Sequence, residues 1–269
     1  MIQSIPGMIR TTMDSVVCRS FVKKYKMTTL NKSKVVIAGG SSGIGAALAK
    51  ILTEDGADIT VIGRDPGKLD LLKTALPSIE TVALDACNRT AVGAFFHGMR
   101  EIDHLVLTLS GSKGGGMFKD LSLDELREGF DRKFWPQLNV LQAALPHMRP
   151  DGSVTLLTAV SAGGAMPGTS GLASINGALE MMVPILSLEY KPLRVNAVSP
   201  GLIDTPWWDF LPAAAKEQVF KDFSANVHVG RPGRPEEIAD TIRHVMSNGY
   251  INGVAIRCHG GLGSAGVFL

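Results

Sequence analysis

Short apolar runs alternate along the chain with longer segments in which apolar residues recur at helical spacing. Seven such runs predict buried β-strands, at residues 35–38, 59–62, 81–84, 105–108, 154–158, 195–198 and 254–256. Helical periodicity between them predicts helices at residues 44–54, 66–75, 89–99, 123–148, 170–189, 206–223 and 235–247. Each gap between strands is long enough for a crossover connection. The pattern therefore predicts an α/β fold, with one seven-stranded parallel sheet and helices on both of its faces.

Two prolines fall inside predicted helices. Pro136 lies within residues 123–148, and Pro184 lies within residues 170–189. Proline has no backbone N–H, and its ring clashes with the carbonyl four residues earlier. We therefore expect each proline to kink or break its helix.

The composition is that of one globular domain. A chain of 269 residues is near the upper limit for a single core, and 45% of its residues are hydrophobic. No unbroken apolar run reaches about 18 residues, so we expect no membrane span. The cysteines, Cys18, Cys87 and Cys258, are widely spaced and odd in number, which argues against a disulfide framework and favours a reducing compartment such as the cytoplasm. The six histidines show no paired ligand spacing, so no metal is expected.

Positive charge is concentrated near the N-terminus. Residues 1–34 carry seven Lys or Arg and one acid, whereas the rest of the chain carries 20 basic and 24 acidic residues. The body therefore offers no basic surface for nucleic acid. The basic segment is typical of a mitochondrial transit peptide, but equally of a disordered extension or an upstream start before Met27. We divide the chain into this extension, residues 1–31, and a folded domain, residues 32–269.

A glycine-rich turn joins the first predicted strand to the first predicted helix. Its candidate ligand-binding residues are Gly39, Ser41, Ser42, Gly43, Ile44 and Gly45. Glycines let the backbone turn tightly and approach a pyrophosphate, while the helix N-terminus offers unpaired N–H groups and the positive end of the helix dipole. An ordinary turn does not need three glycines at this spacing after an apolar strand. The turn therefore predicts a dinucleotide cofactor.

Arg64 follows the second predicted strand, at the place where dinucleotide folds contact the adenosine ribose. An acid there accepts a hydrogen bond from a free 2′-hydroxyl, whereas a guanidinium pairs with a 2′-phosphate. Ser41 and Ser42 would add hydroxyl donors. Arg64 therefore predicts NADP(H) rather than NAD(H), with a solvated surface charge as the alternative.

Three motifs resemble those of the short-chain dehydrogenase/reductase family, and the resemblance covers residues 32–262. They are the glycine turn, Asp85 after the third strand, and the sequence RVNAVSPGLIDTP at residues 194–206. The resemblance implies a single-domain Rossmann fold, an NADP(H)-dependent oxidoreductase with a small-molecule substrate, and a homodimer or homotetramer assembled through the two long helices. The further cofactor-binding residues that it implies are Asp85, Ser110, Gly111, Pro200, Gly201, Ile203 and Thr205.

The positions of the family's catalytic residues are all changed in this chain. The resemblance implies a Ser where Ala159 stands, a Tyr at Leu172, a Lys at Asn176 and an Asn at Lys133. Leucine cannot transfer the proton that the family's phenol transfers. Ser161 could supply a hydroxyl or be an ordinary loop residue, and Lys133 could turn inward as a cation or remain a solvated helix lysine.

Three functions stay open on the sequence alone. The first is an atypical NADP(H)-dependent oxidoreductase without the Tyr–Lys proton relay. The second is an NADP(H)-binding sensor or subunit without redox turnover, and the third is a non-redox enzyme that uses the same pocket. A reductase without the phenol is expected to prefer an acceptor that needs no proton, such as a cationic iminium. An apolar pocket built from Leu172, Met166, Trp207 and Trp208 would suit a cation, because aromatic faces attract positive charge.

Overall fold

The computed structural model describes residues 29–262, and it confirms the predicted sheet. The strands are β1 (Lys34–Ala38), β2 (Asp58–Gly63), β3 (Glu80–Ala83), β4 (Ile102–Leu107), β5 (Met148–Leu157), β6 (Arg194–Pro200) and β7 (Ala255–Cys258). Their order in the sheet is β3-β2-β1-β4-β5-β6-β7, and every neighbouring pair is parallel. The α-helices are α1 (Gly43–Glu54), α2 (Pro66–Ala75), α3 (Arg89–His97), α4 (Leu123–Gly129), α5 (Trp135–Ala144), α6 (Ser170–Glu189), α7 (Ala213–Ser224) and α8 (Pro235–Ser247).

Helices cover both faces of the sheet. In β1, Val35 and Ile37 are buried in one apolar cluster together with residues of α1 and α8. Val36 and Ala38 point the other way, into a cluster that contains residues of α3, α5 and α6. Because both faces are buried, the central strands need apolar residues at successive positions, and this is why they could be recognised as unbroken apolar runs.

The predicted helix 123–148 is divided in the structure. A π-helical turn at Phe130–Phe134 separates α4 from α5, and a 3-10 turn follows at Leu145–His147. Pro136 explains the interruption, because it cannot donate to the carbonyl of Arg132. The N–H of Trp135 instead bonds to the carbonyl of Phe130, five residues earlier. The helix is therefore distorted before Pro136 but not broken there, and its α-helical part ends at Ala144 rather than at residue 148.

Pro184 does not break its helix. It lies inside the continuous helix α6, so the break predicted there is wrong. In the turns that precede the proline, Leu179 and Val183 are fully buried in the core. Packing along the sheet therefore holds this helix together despite one lost backbone hydrogen bond.

The predicted helix 206–223 is also divided. A 3-10 turn at Pro206–Phe210 is followed by extended backbone at Leu211, and α7 then begins with Pro212 at its N-cap. The residue before a proline avoids helical backbone, which explains why the helix is interrupted at Leu211.

Residues just before β1 pack on the core. Leu30 is 4% exposed and belongs to the core cluster of α1 and α8. The division of the chain between residues 31 and 32 stays a prediction. The rest of the basic extension, residues 1–28, lies outside the described residues.

Helix α6 is long and apolar enough, by length and composition, to cross a membrane. Its 18-residue window has a mean hydropathy of 1.4, so the sequence-based exclusion of such a segment was too strict. In the structure the helix packs along β6. A helix that covers a sheet meets the same two criteria, so the finding does not by itself indicate a membrane protein.

Gly45 offers a direct test of the packing between α1 and the sheet. A Cβ there would lie 2.6 Å from the Cα of Gly40, so Gly45→Ala is expected to lower the free energy of unfolding by about 1–3 kcal/mol. Gly93→Ala in α3 is the matched control, because no atom lies within 4 Å of its Cβ position. It is expected to raise stability by about 0.5–1 kcal/mol. Urea denaturation measures both, and equal stabilities would contradict the close packing.

Candidate functional site

A cleft of about 700 Å³ opens at the carboxyl ends of β1, β4, β5 and β6. It brings together the predicted cofactor residues Gly39, Ser41, Ser42, Gly43, Ile44, Arg64, Asp85, Ser110, Gly111, Pro200, Gly201, Ile203 and Thr205. Gly45 is the exception. It does not line the cleft, because it packs against the backbone of Gly39 and Gly40. Its predicted contact with a cofactor stays a prediction.

The glycine turn has the geometry of a phosphate cradle. Gly39 has a φ of +86° and Gly43 a φ of +54°, values that side-chain-bearing residues rarely adopt. A Cβ on Gly39 would lie 2.8 Å from the backbone nitrogen of Leu109. Ser42 is the N-cap of α1, and its side chain makes no capping hydrogen bond. The first N–H groups of α1 therefore face the cleft without a side-chain cap, as a pyrophosphate site requires.

Two basic residues lie at the end of the cleft near β2. Arg64 directly follows β2, is exposed, and forms no ion pair within the described part of the chain. Lys68, in the first turn of α2, lines the same cleft. Asp65 caps this helix by accepting from the N–H of Lys68 at 3.1 Å, which fixes the start of the turn that carries the lysine. Lys68 was not among the predicted cofactor residues, although its position three residues after the N-cap Asp65 was a usable signal.

Tryptophan side chains attach a flap to the opposite end of the cleft. Trp207 Nε1 donates to the carbonyl of Gly111 at 3.1 Å, and Trp208 Nε1 donates to the carbonyl of Ile203 at 3.0 Å. The two rings meet edge to face, with centroids 4.7 Å apart. The 3-10 turn that carries them therefore links the loop after β4 to the loop after β6.

The predicted catalytic positions lie together on the wall between these two ends. Ala159 and Leu172 are apolar parts of this wall, next to Met166. Asn176 Nδ2 donates to Ser161 Oγ at 3.2 Å and to the carbonyl of Leu172 at 2.9 Å. The Oδ1 atom of Asn176 is buried and has no hydrogen-bond partner within the described residues. This wall therefore offers a hydroxyl and an amide oxygen, but no phenol.

Lys133 points inward, so the alternative of a solvated lysine is wrong. The residue is 6% exposed, and its Nζ donates to the carbonyl of Thr158 at 3.1 Å. Burial lowers the pKa of Lys133 from 10.5 to about 8, and the negative charge of Glu180 opposes this shift. The sequence analysis missed Glu180, which the helical spacing of four residues from Asn176 would have placed on the same face of α6.

No other chemistry is assembled nearby. Among residues 29–262, no group of three or more His, Cys, Asp or Glu is placed to hold a metal ion. The two tyrosines in this range, Tyr190 and Tyr250, are exposed, and neither lines the cleft. A phenol therefore cannot move a proton here from any described residue.

Comparisons with known proteins agree with this architecture. The family model described as enoyl-(acyl carrier protein) reductase matches residues 38–263. Among curated proteins, the short-chain dehydrogenase/reductase ATR9 of Stachybotrys chlorohalonatus is 28% identical over 87% of this chain and 98% of its own length. A solved small-chain dehydrogenase in complex with NADPH is similar over 86% of this chain and 99% of that one, with 26% identity and a TM-score of 0.75.

Another solved structure concerns the catalytic positions. It is a short-chain oxidoreductase from Pseudomonas aeruginosa PAO1, described as containing an atypical catalytic centre. Its identity to this chain is 25%, its TM-score is 0.78, and the match covers 87% of this chain and 98% of that one.

Proposed function

The chain belongs to the short-chain dehydrogenase/reductase family of oxidoreductases, and we propose that it transfers hydride between NADP(H) and a small organic substrate without the usual Tyr–Lys relay. One observation carries the proposal. A single cleft combines a complete nucleotide cradle with a catalytic wall on which Leu172 and Asn176 replace the tyrosine and the lysine.

The residues of the cleft fit the cofactor. The glycine turn and the N-terminus of α1 suit a pyrophosphate, and Arg64 with Lys68 suits a 2′-phosphate. The similarity to a dehydrogenase solved with NADPH supports the same choice. When bound, the nicotinamide supplies or accepts hydride. The chain itself binds and orients the reactants, and Trp207 and Trp208 on the flap shield that end of the cleft from water.

The buried lysine changes the expected substrate class. The sequence alone favoured a cationic iminium, because no proton donor was evident. An ammonium group in the same pocket repels a cation, and it favours an acceptor whose oxygen becomes negative during reduction. We therefore propose a neutral carbonyl compound as the substrate, replacing the iminium.

A second candidate function is NADP(H) binding without redox turnover, as in a sensor or a subunit. The apolar wall formed by Ala159, Leu172 and Met166 favours it, because none of these side chains can transfer a proton. A non-redox reaction in the same pocket is a third candidate function, and the same apolar wall supports it.

We propose that the protein assembles as a homodimer or homotetramer through an exposed apolar stripe on α6. The stripe consists of Met181, Ile185 and Leu188, which are 70%, 56% and 67% exposed and recur at helical spacing. It bears no charge that would repel an identical stripe. Two copies related by a twofold axis would bury it, as isologous interfaces require.

We further propose a cytoplasmic location, with mitochondria as the alternative if residues 1–26 form a transit segment. A fluorescent fusion of the full chain, compared with one lacking residues 1–26, distinguishes the two. Mitochondrial fluorescence that disappears on deletion would favour the alternative.

The central test is NADPH oxidation with a panel of carbonyl compounds and a preformed iminium. The panel contains an aliphatic ketone, an aromatic aldehyde, an α-diketone, an ortho-quinone and an α,β-unsaturated ketone. We expect at least one neutral carbonyl compound to be reduced faster than the iminium. NADPH binding with no turnover on the whole panel would instead support the non-redox binding protein.

Arg64→Ala is expected to weaken NADPH binding by roughly tenfold and to leave NADH binding unchanged, because only NADPH carries the 2′-phosphate. Isothermal titration calorimetry measures both dissociation constants. Arg100→Ala removes an exposed arginine that does not line the cleft, and it serves as the charge-matched control. Equal affinities for the two nucleotides in the natural chain would contradict the role of Arg64.

Ile185→Asp is expected to reduce the oligomer to a smaller species, because it places a charge at the centre of the stripe on α6. Light scattering after size-exclusion chromatography measures the mass. Leu71→Asp changes a 73% exposed leucine on α2 and is the matched control, for which no change is expected. A natural chain with the mass of one subunit would contradict the proposed interface.

A further inference from the structure

The local backbone determines the direction in which the Lys133 side chain points. It lies in the π-helical turn Phe130–Phe134, which forms because Pro136 cannot continue the α-helical hydrogen bonding. The extra residue in this turn changes the direction in which successive side chains leave the helix. Lys133 is buried and lines the cleft, whereas its neighbours Asp131 and Arg132 are not buried. Single π-helical turns within helices are frequent at functional sites.

Among residues 29–262, no carboxylate forms an ion pair with Lys133. Within the described part of the chain, its one hydrogen bond goes to the carbonyl of Thr158. An ammonium group has three donors, so two N–H bonds have no protein acceptor there. A lysine kept only for stability would be expected to pair with a buried acid, since an unpaired buried charge is costly. The free donors are therefore available to a ligand in the cleft.

The charged groups near Lys133 come from several elements. Arg132 and Lys113 line the same cleft, and Lys113 pairs with Glu125 of α4. Glu180 of α6 is the group whose charge acts on it most directly. Glu128 of α4 pairs with Arg132 at 3.5 Å, and α5 carries no ionisable residue. Asp131 lies in the same π-helical turn. Glu180 is held at a distance from the lysine by two other donors, Thr158 Oγ1 at 2.8 Å and Arg257 Nη2 at 3.3 Å.

Lys133 and Asn176 both line the cleft, together with the apolar Leu172 and Met166 and with other polar residues such as Ser161 and Arg132. Lys133 enters from the π-helical turn and Asn176 from α6, and these two elements pack against each other. The resemblance implied an asparagine at the first position and a lysine at the second. The chain carries the same two residue types with the positions exchanged. A lysine ammonium is thus still present at this wall, but it comes from the opposite element.

We propose that Lys133 is the catalytic residue that donates a proton from Nζ to the carbonyl oxygen of the substrate. This inference rests on the proposed NADP(H)-dependent reduction. Hydride carries two electrons to the carbonyl carbon, the C=O π pair moves to oxygen, and an N–H bond of Lys133 breaks as the O–H bond forms. The products are an alcohol, the oxidised nicotinamide and a neutral lysine amine, which regains its proton from water.

The pH dependence of such a donor has a defined sign. Reduction requires the protonated amine, and burial lowers the pKa of Lys133 to about 8. The value of kcat/KM for reduction should therefore be constant below about pH 7 and fall roughly tenfold per pH unit above about pH 8. An ordinary lysine would not limit the rate until beyond pH 10.

The experiment compares Lys133→Met, Lys133→Arg and the exposed control Lys50→Met, each with NADPH and the carbonyl panel. Lys133→Met keeps a side chain of similar length but has no proton to donate. Lys133→Arg keeps the positive charge, but its guanidinium does not give up a proton. We expect both to lower kcat by 10²- to 10⁴-fold, the usual contribution of a general acid, and to abolish the fall above pH 8. The dissociation constant for NADPH should change by less than about threefold, and Lys50→Met should match the natural chain.

A second measurement does not depend on turnover. NMR of lysine-labelled protein should show one side chain that titrates near pH 8, and its signal should be missing in Lys133→Met. If that variant fails to fold, the lysine titration and the pH profile of the natural chain still test whether Lys133 donates the proton.

The outcomes separate the two proposals. Unchanged kcat and pH profile in Lys133→Met, or a Lys133 titration above pH 10, would overturn the role of Lys133 while leaving the reductase intact. A natural chain that reduces no member of the panel would overturn the proposed function and, with it, this inference.

Discussion

The cleft depends on a topological constraint at the centre of the sheet. From β1 the chain passes outward to β2 and β3, and then returns to β4 on the other side of β1. The connections that follow β1 and β4 therefore leave in opposite directions and open a crevice above the carboxyl ends of both strands. The Thr108 side chain and N–H both bond to the carbonyl of Ala38, which holds the two strand ends together below the crevice. Loops that follow the other strands then complete its walls.

The glycine-rich turn and the start of α2 could be predicted because the residues that determine them are close together in the sequence. The glycine-rich turn connects a strand to a helix within about ten residues. Asp65 followed by Pro66 predicts the start of α2 at the residue where the structure shows it. Element boundaries were less accurate where tertiary packing decides them. β4 begins at Ile102 rather than at residue 105, next to a register shift in its pairing with β5. Polar positions at this edge interrupt the apolar run, so periodicity alone could not show that the strand continues.

The catalytic half could not be predicted, because its contacts join residues that are far apart along the chain. Whether Lys133 points inward depends on a π-helical turn, and helical periodicity assumes that no such turn exists. Thr158, Glu180 and Arg257 form one hydrogen-bonded group, yet they come from the loop after β5, from α6 and from β7. None of the three is part of a short motif. The sequence left open whether Lys133 turns inward or stays solvated, and only the folded structure shows that it is buried.

The energetics of Lys133 explain why its burial is informative. A pKa near 8 instead of 10.5 means that the fold disfavours the charged amine by about 3 kcal/mol. A methionine would fill a similar volume without this cost. Lys133 Nζ keeps one hydrogen bond, to the carbonyl of Thr158, and forms no ion pair within the described residues. A ligand that becomes negative beside it, as a carbonyl oxygen does when hydride is added, would offset the cost of this buried charge.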